Sequence, residues 1–149
     1  AVPVSNGTLL AGVYRGFVSL FKRGRTSRIP KMLAGSSARK NPIVYSFKKS
    51  AEVCEDLDPK IIRETSVNEP LVNWHSFDGE EALYAIRQSQ GGAEDVSDEK
   101  MNRLTKLLRD KEGLRTLPAS TASLAAILSV HQRINLEPDR FVVILTGRR

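Results

Sequence analysis

The sequence of 149 residues is 40% hydrophobic and 27% charged, the balance of an ordinary globular protein. No apolar stretch approaches the roughly 20 residues of a membrane-spanning helix, and nothing resembles a secretory signal, so we expect a cytoplasmic protein without a membrane partner. A single cysteine, Cys54, excludes an internal disulfide framework, and two distant histidines, His75 and His131, give a metal centre little to build on.

The net charge of +6 is unevenly distributed along the chain. The first 50 residues hold ten Lys or Arg and no acid, and the remainder carries a net charge of −4. Clustered cations at 21–31 (FKRGRTSRIPK) could bind nucleic acid by releasing phosphate counterions. However, they lie where a predicted helix ends and complement its dipole, and no aromatic residue for base stacking separates them. Nucleic-acid binding is therefore only a secondary hypothesis.

The apolar spacing in the first third of the chain predicts a strand, two helices and a further apolar run. Residues 2–4 form a strand candidate, and 31–37 form a second short run that ends in small polar residues. Pro42 opens a helix over 42–50, since proline suits a first turn. Residues 8–22 are predicted to form a well-buried amphipathic helix, because apolar residues recur at helical intervals: Leu9, Leu10, Val13, Phe17, Leu20 and Phe21.

The rest of the chain predicts three more helices and a buried strand. Residues 51–72 look mostly irregular, with a short strand or turn at 61–62. A helix is predicted over 78–89, and a short apolar run follows it. Ser97 is expected to cap a further helix that extends to about Asp110 and is stopped by Gly113. An Ala-rich helix over 119–133 is expected to pack its larger residues inward: Leu124, Ile127 and Leu128. Five consecutive apolar residues, 141–145, are typical of a strand covered on both faces.

Alternating strands and helices predict an α/β fold, a three-layer sandwich in which a mostly parallel sheet is flanked by helices. The length suits one domain over 1–149. Parallel sheets bind ligands outside the carboxyl ends of their strands, and two segments occupy such positions. Ser5–Thr8 could offer the free amides of a helix start to an anion, and Thr146 could hydrogen-bond a ligand. The alternative at each position is a turn that only connects two elements.

Other catalytic arrangements are poorly represented. The sequence has no G-x-S-x-G motif, and its single cysteine has no neighbouring base in the sequence. His75 and His131 are expected to be surface or core-edge residues. The acidic pairs at 80–81 and 94–95 are typical of solvated helix or loop positions.

Five segments together resemble one enzyme family. VPVSNGTLLAG is followed by RIPKMLAG, then by VNW, and finally by LPASTASLAAIL and VVILTG. In this order and spacing they resemble the C-terminal half of threonine synthases, which are pyridoxal-phosphate lyases with the tryptophan synthase β-like fold (fold type II) and act in amino-acid biosynthesis. The resemblance extends over essentially the whole chain and implies a fragment of the large domain of such an enzyme.

The resemblance assigns pyridoxal 5′-phosphate as the cofactor and implies its contacts. The family's phosphate loop falls on Ser5, Asn6, Gly7 and Thr8, and its closing Leu-Thr-Gly places Thr146 at the pyridine nitrogen. The sequence departs from the family's pattern at three places: Ser5 replaces the first loop glycine, Thr8 and Leu9 replace the later Gly-Asn pair, and Leu117 stands where the family often has glutamate. Asn73 matches the family's Val-Asn-Trp and is given no chemical role.

The resemblance also implies that the chain is inactive alone. The lysine that binds the cofactor covalently sits in the family's N-terminal half, and none of the nine lysines here has its Ser-x-Lys-x-Arg-like context. The implied partners are that N-terminal half, a phosphorylated amino-acid substrate and, through exposed apolar surface, further copies in a homo-oligomer. The intact enzyme would convert O-phosphohomoserine to threonine. Cysteate synthase or another β-replacement enzyme is an alternative, as is a non-catalytic domain that binds a phosphometabolite.

Overall fold

The computed structural model describes residues 1–137 and 139–148. Strands and helices alternate along most of this range, in the order β1 (Val2–Pro3), α1 (Thr8–Lys22), β2 (Leu33–Ser37), α2 (Pro42–Lys48), α3 (Gly79–Gln88), β3 (Gly92–Val96), α4 (Asp98–Glu112) and α5 (Ala122–Arg133). Two short 3-10 helices, Glu69–Leu71 and Pro118–Thr121, lie in the connections. The predicted irregular segment 51–72 is confirmed, with a turn at 59–61.

The three strands form a parallel sheet in the order β1-β2-β3. Val2 is in register with Ala34, and Leu33 with Gly92. Parallel neighbours need crossover connections, which the helices provide. The predicted α/β class with a mostly parallel sheet is therefore confirmed.

Each face of the sheet carries its own hydrophobic core. Helices α1, α2 and α3 cover one face, where Leu10, Ile43 and Leu83 are fully buried. Helices α4 and α5 cover the other face, where Met101 and Leu104 are buried. This arrangement gives the predicted three layers and holds the loop between β1 and α1 at one end of the sheet.

The prediction that 141–145 is a strand covered on both faces was wrong. No strand is assigned there, and Phe141 and Val142 are exposed. The segment does run beside β1: the Ala1 nitrogen donates to the Val142 carbonyl at 2.7 Å, and the Ile144 N–H donates to the Ala1 carbonyl at 3.0 Å. These two bonds around one residue are too few to build a ladder.

The inward faces predicted for two helices were also partly wrong. In α5 the buried residues are small, Ala122, Ser123, Ala125 and Ala126, while the larger residues are only partly buried. The reason is close packing, since a Cβ on Gly35 of β2 would lie 2.2 Å from the Ala122 carbonyl oxygen. In α1 the buried residues are Leu10, Ala11 and Tyr14, and three residues expected inside are exposed: Leu9, Leu20 and Phe21.

Within the described ranges, no helix combines the length and the hydropathy that crossing a membrane would require.

Candidate functional site

A cavity of about 380 Å³ lies at the carboxyl end of β1. The β1–α1 loop and the start of α1 form one wall, and the segments around Pro70, Ser120 and Thr146 form the others. All five residues predicted to bind the cofactor line this cavity together. The lining residues are Pro3, Val4, Ser5, Asn6, Gly7, Thr8, Leu9, Leu10, Pro70, Leu71, Leu117, Ala119, Ser120, Thr146 and Gly147.

Gly7 gives the loop its shape. Its φ is +94°, in the left-handed region that favours glycine. A Cβ at this position would lie 2.6 Å from the Asp78 carbonyl oxygen and 2.9 Å from the Ala82 Cβ. Glycine is therefore required here both for its backbone conformation and for its lack of a side chain.

The loop leaves a series of backbone N–H groups without acceptors among the residues that the structure describes. Gly7 is the residue before the first turn of α1, and no side chain of the described residues caps that turn. Within residues 1–137 and 139–148, no acceptor is found for the N–H groups of residues 5–10. The first turn of α1 carries no acidic residue. Because the N-terminus of a helix carries partial positive charge, this arrangement suits an anion.

No charged side chain lines the cavity within the described part of the chain. One cavity-lining residue is bonded to an acid outside the cavity lining: the Thr8 hydroxyl donates to the Asp78 carboxylate. Because the hydroxyl proton of Thr8 is used in this bond, the donor that Thr8 can offer to a ligand is its backbone N–H. The electrostatics of the cavity therefore come mainly from backbone dipoles.

A buried amide supports the loop from below. Asn41 is 1% exposed, and its Oδ1 accepts from the N–H groups of Ile43 and Val44 at 3.1 and 3.3 Å, which caps α2. Its Nδ2 donates to the Ser5 carbonyl at 2.9 Å and to the Val4 carbonyl at 3.3 Å. A buried residue between two backbone segments thus fixes the position of the loop.

The segment 73–78 holds the same loop from the side. The Asn73 Nδ2 donates to the Asn6 Oδ1 at 3.0 Å, and the Ser76 hydroxyl donates to the Ser5 carbonyl at 3.3 Å. The Asp78 N–H donates to the Asn6 carbonyl at 2.9 Å. Sequence reasoning missed these contacts because the partners lie about 70 residues apart.

Ser120 fixes the opposite wall, and it too was missed as a site residue. Its side chain is buried, and its Oγ accepts from the N–H groups of Thr146 and Gly147 at 2.6 and 2.9 Å. The Thr146 Oγ1 lies 3.4 Å from the same oxygen. A further bond from the Ser123 hydroxyl to the Ile144 carbonyl, 2.8 Å, holds this segment against α5. The available sequence signal is the position of Ser120 in the LPASTASLAAIL segment, three residues after Leu117.

The other chemically active side chains lie outside the cavity. His75 is exposed and pairs with Asp56 at 2.8 Å between its Nδ1 and the carboxylate. Cys54 packs against Gly79, and burial, followed by the charge of Glu80, raises the pKa of its thiol to about 11. No group of three His, Cys, Asp or Glu suited to a metal ion occurs in residues 1–137 and 139–148.

The sequence matches the family model described as "Pyridoxal-phosphate dependent enzyme" over residues 1–147, so the chain belongs to this family. The predicted family is thereby confirmed, and enzymes of this family depend on pyridoxal phosphate (PLP). Among curated proteins, the chain is similar to threonine synthases. It is 33% identical to that of Methanocaldococcus jannaschii over 147 residues, covering 98% of this chain and 35% of that protein.

Two further relatives have the same name. The chain is 31% identical to the threonine synthase of Methanosarcina acetivorans, covering 97% of this chain and 35% of that protein. It is 26% identical to threonine synthase 2 (chloroplastic) of Arabidopsis thaliana, covering 98% and 28%. The chain thus spans about a third of the length of these relatives.

The fold is shared with solved serine racemases. The structure from Dictyostelium discoideum matches with a TM-score of 0.69 at 18% identity, covering 98% of this chain and 42% of that one. The maize serine racemase matches with a TM-score of 0.65 at 19% identity, covering 98% and 41%. These structures confirm the fold-type II architecture.

The cavity fits the phosphate end of PLP. The amides at the start of α1, which have no acceptor within the described ranges, match the acceptor oxygens of a phosphate monoester. The glycine at position 7 keeps this wall free of a side chain. The serine that replaces the family's first loop glycine does not fill the cavity. Ser5 is one of its lining residues, and the Ser5 carbonyl accepts a hydrogen bond from the Asn41 Nδ2.

Proposed function

We propose that the chain is the cofactor-phosphate-binding part of a PLP-dependent enzyme of the threonine synthase type. The observation that supports this proposal best is the convergence of the β1–α1 loop and Thr146 on one cavity. These two segments come from opposite ends of the chain. In the intact enzyme the reaction would convert O-phosphohomoserine and water to threonine and phosphate.

The chain's own residues would bind and orient the cofactor. Backbone N–H groups of Ser5, Asn6, Gly7 and Thr8 would hold the phosphate, and the Thr146 hydroxyl would contact the pyridine nitrogen. A neutral hydroxyl there leaves that nitrogen largely unprotonated. Bound PLP supplies an electron sink for carbanions formed on the substrate. The Ser120 oxygen, which accepts from the Thr146 N–H, keeps the hydroxyl-bearing segment in place.

We further propose that this chain does not catalyse the reaction alone. In the described residues no lysine lines the cavity, and the family needs a lysine to bind the cofactor covalently and to move protons. The remaining wall and that lysine would come from the N-terminal half of the same enzyme, and the 149 residues would act as one domain of it. With PLP present, we therefore expect no phosphate release from O-phosphohomoserine by this chain.

Calorimetry with three related probes tests the cofactor proposal. PLP and inorganic phosphate should bind to the 149-residue chain, and pyridoxal, which lacks the phosphate, should bind about tenfold or more weakly, since charged hydrogen bonds contribute roughly 1.5–3 kcal/mol each. Thr146→Val should weaken PLP but leave inorganic phosphate unchanged. Equal affinities for PLP and pyridoxal would contradict the proposal.

One observation favours a different substrate. Leu117 lines the cavity where the family often has glutamate, so the polar contact that this acid would make is absent. This substitution is consistent with a β-replacement enzyme such as cysteate synthase. If a phosphorylated metabolite bound more tightly than PLP, a non-catalytic phosphometabolite-binding domain would instead be favoured.

A further inference from the structure

Asn6 of the β1–α1 loop forms a directed chain of hydrogen bonds with two asparagines that support the loop, Asn73 and Asn41. The Asn41 Nδ2 donates to the Asn73 Oδ1 at 3.2 Å, and the Asn73 Nδ2 donates to the Asn6 Oδ1 at 3.0 Å. Asn41 is fully buried, and the other two are partly buried. A carboxamide has a donor end and an acceptor end, so each bond restricts the orientation of the next side chain.

The direction of this chain is set by backbone groups. The Asn41 Oδ1 faces the N–H groups of Ile43 and Val44, which can only donate. Its Nδ2 faces the Val4 and Ser5 carbonyls, which can only accept. Turning the amide over would place like groups together on both sides, at a cost of several unmade hydrogen bonds in a buried position. The orientation of Asn41 is therefore fixed.

The fixed orientation passes to Asn6 through Asn73. Because Asn41 presents a donor, Asn73 must present its Oδ1 to it and its Nδ2 to Asn6. Asn6 must then turn its Oδ1 inward. The Asn6 Nδ2 then has no acceptor among the protein groups of the described ranges. Because Asn6 lines the cavity, this donor is available to a ligand.

We propose that Asn73 is a positioning residue, which holds the Asn6 carboxamide with its Nδ2 available to the ligand phosphate. This inference rests on the proposed function. The site then presents donors from both backbone and side chain, and it favours a phosphate dianion, which is an acceptor at every oxygen. Asn73 itself need not touch the ligand.

A double-mutant cycle with PLP and inorganic phosphate tests this role. In Asn73→Asp the new carboxylate still accepts from Asn41 but cannot donate, so Asn6 turns its Nδ2 inward and its Oδ1 outward. We expect Asn73→Asp and Asn6→Ala each to weaken both ligands by about tenfold, the value of one charged hydrogen bond. The double variant should be little weaker than Asn6→Ala, because the orientation effect requires the Asn6 amide.

The cycle separates orientation from added charge. If Asn73→Asp weakened the ligands by the same factor in the Asn6→Ala background, its charge alone would explain the loss and the inference would be overturned. The matched control is Asn102→Asp, the same change at an exposed position of α4, which should alter affinity by less than about twofold, the size of a screened surface charge effect. If the unaltered chain bound neither ligand, the proposed function would fail as well.

A second readout requires no ligand. In nuclear magnetic resonance, the Asn6 side-chain amide hydrogens should exchange with solvent faster than those of Asn41 and Asn73. In Asn73→Asp the exchange at Asn6 should slow, since its Nδ2 would then donate inward. Slow exchange at Asn6 in the unaltered chain would show that its Nδ2 is already bonded within the protein and would overturn the assignment.

Discussion

Replacing Gly7 by alanine tests whether the β1–α1 loop is built as described. Gly7 has φ +94°, a conformation that costs an L-residue about 1–2 kcal/mol. The added Cβ would also lie 2.6 Å from the Asp78 carbonyl oxygen and 3.0 Å from the Ile43 Cδ1, and over-packing of this kind costs about 1–3 kcal/mol. Alanine also lowers the conformational entropy of the unfolded chain, which offsets about 0.4–1 kcal/mol of this loss in stability.

The net expectation for Gly7→Ala is a loss of about 1–4.5 kcal/mol in the free energy of unfolding. Relief by movement is restricted, because the Asp78 carbonyl accepts from the Ala82 N–H at 3.0 Å in the first turn of α3. Urea unfolding followed by circular dichroism measures the change. The same variant should bind inorganic phosphate more weakly, since the loop must shift.

Gly12→Ala is the matched control. Gly12 lies inside α1, and a Cβ there would meet nothing within 4 Å. The same substitution should therefore stabilise the protein by about 0.5–1 kcal/mol, the usual difference between glycine and alanine in a helix. A loss below about 1 kcal/mol for Gly7→Ala, or equal losses for both variants, would refute the argument from strain and close approach.

Three further predictions follow from contacts near the cavity. Ser120→Ala removes the acceptor of the Thr146 and Gly147 N–H groups and should destabilise the protein by about 1–3 kcal/mol, with faster hydrogen exchange at both amides; unchanged exchange would contradict it. Asn41→Ala removes a helix cap and several buried hydrogen bonds and should cost about 2–4 kcal/mol in urea unfolding, and a loss below about 1 kcal/mol would contradict its supporting role. Burial raises the pKa of the Cys54 thiol from 9.0 to about 11. The contribution of this thiol to the free energy of unfolding is therefore complete below pH 9 and is lost as the pH rises through about 11. A midpoint near pH 9 in the pH dependence of Cys54 alkylation would contradict this.

Local signals were sufficient for most helices. The predicted helix 8–22 coincides with α1. Ser97 caps α4 by accepting from the Lys100 N–H at 3.3 Å, and Gly113 ends it with φ +67°. Caps and stops act within one turn, so the residues that determine them are adjacent in sequence.

Packing partners were harder to predict, because they depend on distances between layers. The small residues of α5 are buried because the helix backbone approaches Gly35 closely. Hydrophobicity alone favours burial of the larger residues of this helix instead. Similarly, 141–145 has the composition of a buried strand, but in the described part of the chain its backbone bonds to the β1 side come from Ala1 alone, the residue before β1. Composition predicts whether a segment can form a strand, but a ladder forms only where a neighbouring strand offers backbone groups in register.

The candidate site shows the same division between local and distant information. The four loop residues and Thr146 could be chosen because each follows an apolar run, where strand ends are expected. Asn73 and Ser120 could not be chosen in this way, since their partners lie 67 and 26 residues away. Such supporting residues become visible only when the hydrogen-bond network is known.

The charge distribution and the cavity together indicate how the site would select its ligand. The first 50 residues carry ten cations and no acid, yet no charged side chain lines the cavity in the described part of the chain. The cations create a positive field that can attract anions over a distance, an effect that salt screens. Final binding would depend on backbone amides and on Asn6, which would contact the ligand at short range, where salt screens much less. Salt should therefore slow association more than it speeds dissociation.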